Sequence, residues 1–192
     1  MSENPSIWGE LAGLTLTKGH GTGNDFIFLT DENAEIALTP ELVARACDRH
    51  FGIGADGFIR AARSTASRAG QKLLEEHPDA VWFMDYRNAD GSKAEMCGNG
   101  VRVFVDHLRR EGLVDLPVGA TLDVATRGGI KRVTPEAEDE GAGARYRVDM
   151  GPAASPARET IEVSIPGIEG TLGGIWVDID RKSTRLNSSH SA

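Results

Sequence analysis

A cysteine followed by Gly-Asn-Gly, Cys97 to Gly100, joins a polar stretch, Asn88 to Lys93, to Val101–Leu108, which has the composition of a buried helix. A helix beginning near Gly98 would set the Cys97 thiol beside backbone N–H groups that lack intrahelical acceptors. It would also set it at the positive end of the helix dipole, and both effects favour a thiolate. Such a thiol can take up and return a proton. Gly98 and Gly100 let a ligand approach the main chain closely, and Asn99 adds a side-chain donor and acceptor. The polar preface favours chemistry over packing, because structural cysteines keep apolar neighbours. Cys47 has that apolar company in Val43, Ala44 and Ala46, and it reads as a small core residue.

Other candidates are weaker on local grounds. Gly19–Asp25 is glycine-rich but precedes a strand-like run. A dinucleotide fingerprint needs the reverse order, and a phosphate-binding loop needs a lysine that is absent here. Asn24 and Asp25 either face a ligand or make turn hydrogen bonds, and the turn leads. Asn88, Asp90 and Ser92 form ordinary turn chemistry within ten residues of Cys97, close enough to line the same pocket. His20, His50, His77 and His107 are scattered without metal-ligand spacing.

Positioning these residues requires an α+β domain. Phe26–Leu29 reads as a short strand after a glycine-rich turn. Thr39 as N-cap, Pro40 in the first turn and Glu41 beside it announce a helix, which Gly52 and Gly54 end. Gly57–Ala62 and Val81–Asn88 read as strands, with a polar excursion over 64–80 between them that carries a short surface helix. A second helix spans Gly98–Arg110, apolar round most of its circumference, and stops at Gly112. Strand-like pieces follow from Ala120 to Ile179, with a hairpin tip over 136–144. Many strands around two helices give the mixed class.

The 192 residues suffice for one domain or two small lobes. A net charge of −8, with 29 acidic against 21 basic residues, lacks the basic face of a nucleic-acid binder and does not suit an anionic membrane surface. Two cysteines make no disulfide framework, no run reaches transmembrane length, and Met1–Glu10 lacks a signal-peptide layout. The expected compartment is therefore a reducing cytoplasm, where free thiols are available. From Asp180 the apolar pattern stops abruptly. The tail Asp180–Ala192 reads as the in-frame translation of a sequencing adapter and is set aside from the fold, a natural tail being the alternative.

Three segments, Gly19–Asp31, Cys47–Gly57 and Asn88–Phe104, together resemble the diaminopimelate epimerase family, in the family's order. The resemblance spans roughly residues 14–179. It implies two similar lobes, each a curved mixed β-sheet wrapped around a central helix, with no pyridoxal phosphate or other cofactor and no metal. It further implies one cysteine from each lobe facing opposite sides of the substrate α-carbon, interconverting LL-2,6-diaminopimelate and its meso isomer on the route to lysine and peptidoglycan. Carried over, Cys97 matches the first acid/base thiol, and Asn24, Asn88, Gly98 and Asn99 match substrate-binding positions. A homodimer is implied for the full-length protein. Gly57 departs from the pattern, standing where some members place a substrate-contacting glutamine. No cysteine follows Cys97, so the opposite thiol and most of the second lobe are expected to be missing. The expected division is an N-terminal extension over 1–13, the lobe over 14–150, the start of the second lobe or crossover over 151–179, and the tail over 180–192. Two alternatives remain: another cofactor-independent isomerase of similar fold, such as a proline racemase-like protein, and a non-catalytic binding module with an inert Cys97.

Overall fold

The structure is a computed structural model that describes residues 8–138, 143–151, 160–164, 167 and 170–175. Its main unit, within Met1–Asp149, contains strands β1 (Thr17–Gly21), β2 (Asn24–Thr30), β3 (Gly57–Arg63), β4 (Trp82–Asn88), β5 (Leu122–Thr126), β6 (Gly129–Ala137) and β7 (Arg145–Asp149). Its helices are α1 (Pro40–Cys47), α2 (Arg68–Leu74) and α3 (Gly98–Arg110). The seven strands form one sheet in chain order. β2/β3 and β4/β5 are parallel and the other neighbours antiparallel, so the sheet is mixed. A separate antiparallel hairpin joins β8 (Thr160–Val163) to β9 (Leu172–Ile175) in the second unit. The expected 136–144 hairpin tip lies partly outside the described residues, as do most of the 151–179 segment and the whole 180–192 tail.

The sheet is curled around α3. Seven flat strands at about 4.8 Å spacing would put the two edges nearly 30 Å apart, beyond the reach of one helix about 10 Å thick. Yet α3 lies against β1 and β7, the two edges, and against β2, β3, β4 and β6. Period-two alternation then sorts the strands' side chains. Phe26, Phe28, Ile59, Trp82 and Met84 point inward onto Val101, Phe104, Val105 and Leu108 of α3. Their neighbours in sequence, Ile27, Leu29 and Phe58, point outward onto Val43, Ala46 and Cys47 of α1, where Leu11 is also buried. Phe83 and Ala125 pack outward against Ala69 and Leu73 of α2.

Between these two outer apolar clusters, the outward positions of β3 and β4 are charged. Asp85, in β4, is buried at 3% exposure. It accepts from Arg60 Nη2 at 2.7 Å and from Arg127 Nη2, and its Oδ1 lies 3.5 Å from Arg87 Nε. Arg60 also pairs with Asp31 at 3.3 Å. Burial on its own would push the Asp85 carboxyl up. Arg127, Arg87 and Arg60 more than offset that and hold it below the ordinary value of 3.8.

Local chemistry sets the element ends. Thr39 Oγ1 caps α1 by accepting from Leu42 N at 3.2 Å. α1 stops at Cys47 rather than running to Gly52, because Asp48 Oδ1 takes the N–H groups of His50 and Phe51 at 2.7 Å each. The chain then folds back onto the helix end, with Ile53 N and Gly54 N on Ala46 O. Gly52 is required there, since a Cβ would meet Arg45 O at 2.1 Å. α3 ends at the expected residue in a Schellman turn, with Leu113 N on Leu108 O and Gly112 N on Arg109 O. His107, near that end, is buried, stacked on Phe28 with ring centroids 5.0 Å apart and bonded to Thr30 Oγ1 at 2.9 Å. No helix among the described residues is long and apolar enough to cross a membrane.

Candidate active site

The glycine-rich turn before β2 is a two-residue hairpin turn. Gly21 pairs with Asn24, and Thr22 and Gly23 both have positive φ, at 54° and 83°. That is the type I′ geometry whose twist matches the flanking strands. Gly21 serves close approach: a Cβ on it would meet Val103 Cγ2 at 2.9 Å and Asn99 O at 3.2 Å. The hairpin therefore rests directly on the first turn of α3.

β2 and β3 are parallel and β4 runs against them, so the starts of β2 and β3 share one end of the sheet with the finish of β4. Asn24, Asp56–Gly57 and Asn88 all fall at that end. Cys97 caps α3 from an extended conformation, with φ −138° and ψ 122°. Its Sγ accepts from Gly100 N at 3.4 Å and donates to Asn24 Oδ1 at 3.6 Å. Asn99 Nδ2 also donates to Asn24 Oδ1, at 3.4 Å. Asn99 Oδ1 in turn accepts from Arg102 Nη2 at 2.5 Å and from Thr22 Oγ1 at 3.4 Å. Cys97 is half-buried, whereas Cys47 is 3% exposed and burial pushes its thiol up to about 11.

The Asn24 amide has one workable orientation. Its Nδ2 donates to Asp56 Oδ2 at 2.8 Å, and a carboxylate can only accept, so Oδ1 must face the thiol. Asp56 is itself held: Arg49 Nη2 donates to Asp56 Oδ1 at 2.9 Å, and Arg49 grips Asp25 through two bonds of 2.7 and 3.1 Å. Lys18 lies 3.2 Å from Asp25 and also donates to Gly54 O. Arg49, with Lys18 behind it, holds the Asp25 carboxyl well below the usual carboxylate range.

Three of the residues expected from sequence, Asn24, Cys97 and Asn99, are thus joined by side-chain hydrogen bonds, with Gly98 opening α3 between the last two. Asn88 shares the end of the sheet, but its side chain donates to Ser92 Oγ at 3.0 Å and its contacts are those of a turn. At Gly57 a Cβ would meet Tyr86 Cε2 at 2.6 Å and Arg87 O at 2.7 Å, so the packing of this chain leaves no room for a glutamine. Lys18, Arg49 and Asp56 were not foreseen. Their signal was present, since Arg49 and Asp56 lie inside the Cys47–Gly57 segment and Asp25 adjoins Asn24. A turn accounts locally for each carboxylate, which hid the cluster. Among the described residues no group of three or more His, Cys, Asp or Glu is placed to hold a metal ion.

The whole of this arrangement lies in a stretch that can be compared with known proteins. The chain is 48% identical over 138 residues to the diaminopimelate epimerase of Corynebacterium glutamicum strain ATCC 13032, covering 72% of this chain and 47% of that protein. It is 44% identical over 182 residues to the diaminopimelate epimerase of Rhodococcus jostii strain RHA1, covering 92% of this chain and 60% of that protein. Over 104 residues it is 54% identical to the diaminopimelate epimerase of Mycolicibacterium smegmatis, covering 52% of this chain and 35% of that protein. The chain spans about half the length of the curated relatives it matches. The family model described as diaminopimelate epimerase matches residues 16–155, which takes in β1 to β7 and the whole Asn24–Cys97–Asn99 constellation, and by that match the chain belongs to the diaminopimelate epimerase family.

Proposed function

We propose that this chain is the Cys97-bearing lobe of a cofactor-independent epimerase that interconverts LL-2,6-diaminopimelate and meso-diaminopimelate. In this proposal Cys97 exchanges the α-proton on one face of the substrate carbon. Asn24, Asn88, Gly98 and Asn99 hold the polar groups around it. Inverting a stereocentre means removing a proton from one face and returning one to the other. A single base returns its proton to the face it came from, whereas two opposed thiols, one ionised and one protonated, work in both directions. The observation that carries the proposal is the Cys97 thiol at the α3 N-cap, 3.4 Å from Gly100 N and 3.6 Å from Asn24 Oδ1.

The neighbouring groups suit that role. The main-chain N–H groups of Gly98 and Asn99 lie in the first turn of α3, where no intrahelical acceptor is in reach, and they can take a carboxylate at the positive end of the helix. Removing an α-proton pushes charge onto that carboxylate, so donors fixed beforehand favour the transition state. The Arg49–Asp25–Asp56 cluster fixes the Asn24 amide and so keeps an acceptor aimed at the thiol. A working thiol of this kind suits a reducing cytoplasm, and we extend the proposal to a homodimer of the longer protein.

Because the sequence holds no cysteine after Cys97, the 192-residue chain by itself supplies one face of the reaction. Incubated with LL-2,6-diaminopimelate in deuterated water, it should yield no meso isomer. Formation of the meso isomer by the isolated chain would overturn the two-thiol assignment.

A further inference from the structure

The face of the sheet turned away from α3 carries a cavity of about 440 Å³ between α2 and the outward positions of β3 and β4. Six cations line it in a chain whose net charge is −8. Arg60, Arg87 and Arg127 form the floor, and Arg68, Lys72 and Lys93 are exposed at the rim. The lining carboxylate is Asp85, already shared by the floor arginines, and Asp31 binds Arg60 from outside the cavity. The cavity is thus left with a surplus of four positive charges. None of the three rim cations has an ion-pair partner among the described residues.

A purely structural network would be expected to satisfy its own buried donors. This one does not. Arg87 is 6% exposed, and its buried Nε has no hydrogen-bond partner among the described residues, as is also true of Arg60 Nε. Arg87 Nε lies 3.5 Å from Asp85 Oδ1, an oxygen that also accepts from Arg127 Nη2. A water-accessible cavity with a surplus of cations on its walls matches an acceptor that arrives from solution. Guanidinium forks on the floor and flexible cations at the rim suit a ligand with several oxyanion oxygens.

We propose that this cavity binds a compact, multiply charged oxyanion, a phosphoryl or polycarboxylate group, at a site separate from the Cys97 constellation. The two sources share the charge and the oxygens that the arginines read. Pyrophosphate and citrate serve as probes for them, titrated calorimetrically into the full chain at low ionic strength. At least one should bind, and more weakly as chloride is raised, because exposed rim charges are screened. Tighter pyrophosphate binding identifies the phosphoryl class, and tighter citrate binding the polycarboxylate class. The double variant R68E/K72E, changed only at exposed positions, should weaken the better probe by about tenfold or more while melting like the parent, since two reversals move four charge units next to a polyanion. Prior alkylation of Cys97 should leave the affinity unchanged. Three results would each overturn the proposal: no binding of either probe, undiminished binding by R68E/K72E, or loss of binding on alkylation of Cys97.

Discussion

Replacing Asp85 with asparagine should destabilise the lobe by about 3–5 kcal/mol, the range for removing one partner from a buried charge network. Three guanidinium groups converge on this carboxylate, and its side chain is 4% exposed against 12% for Arg60, 8% for Arg87 and 21% for Arg127. Asparagine keeps the shape and removes the charge, so three cations lose their common counterion while still largely out of water. Urea unfolding should show a lower midpoint with an unchanged slope, the sign of a stability change without a change in denatured-state exposure. The pH dependence fixes the cause. The carboxyl is held below its ordinary value of 3.8, so the unfolded chain takes up the proton first as pH falls. The stabilisation is therefore complete above about pH 4 and is lost as pH drops through the folded value. The gap between parent and variant should be widest near neutrality and should close in acid. A loss below about 1 kcal/mol, or a gap independent of pH, would mean that the network contributes no more than surface pairs do.

The two cysteines should differ in reaction with iodoacetamide at pH 8 by at least about a hundredfold, with Cys97 the faster. The thiolate is the reactive species, and a thiol pushed up to about 11 is about one part in a thousand ionised at pH 8. Burial in the α1 cluster also shuts the reagent out from Cys47, whereas Cys97 is half-buried at the first turn of α3. Peptide mapping by mass spectrometry after timed quenching gives both rates in one sample. Comparable rates would place Cys97 among inert structural thiols and favour a non-catalytic module.

Elements with strong local signals were legible in the sequence. Thr39, Pro40 and Glu41 announced the start of α1, and Gly98–Arg110 with Gly112 beyond it bounded α3 at the observed residues. The end of α1 was not legible, because Asp48 closes it by capturing N–H groups that a periodicity count assigns to the helix. The glycines of Gly19–Gly23 read as a turn, but the close approach of Gly19 and Gly21 to α3, some eighty residues away, has no local trace. The charge network was hidden for a related reason. Asp85 and Arg87 interrupt an apolar strand on one face, but pairing them with Arg60 and Arg127 depends on the β3–β4 register and on the loop after β5. Around Cys97 the residues alone raised the thiol as a candidate, and Asn24 gained weight only from the family resemblance. The ion cluster that orients Asn24 needed coordinates.

The most direct test of the central claim uses a longer protein of this family in which residues 1–179 are joined to a second lobe, with inversion of LL-2,6-diaminopimelate followed by exchange of the α-proton for deuterium. Replacing Cys97 with alanine should abolish inversion, a loss of at least about a thousandfold for removal of an acid/base group that no neighbour can replace. Replacing Cys47 with alanine should leave the rate within a few-fold of the parent. Inversion surviving in the Cys97→Ala protein at a comparable rate would contradict the account.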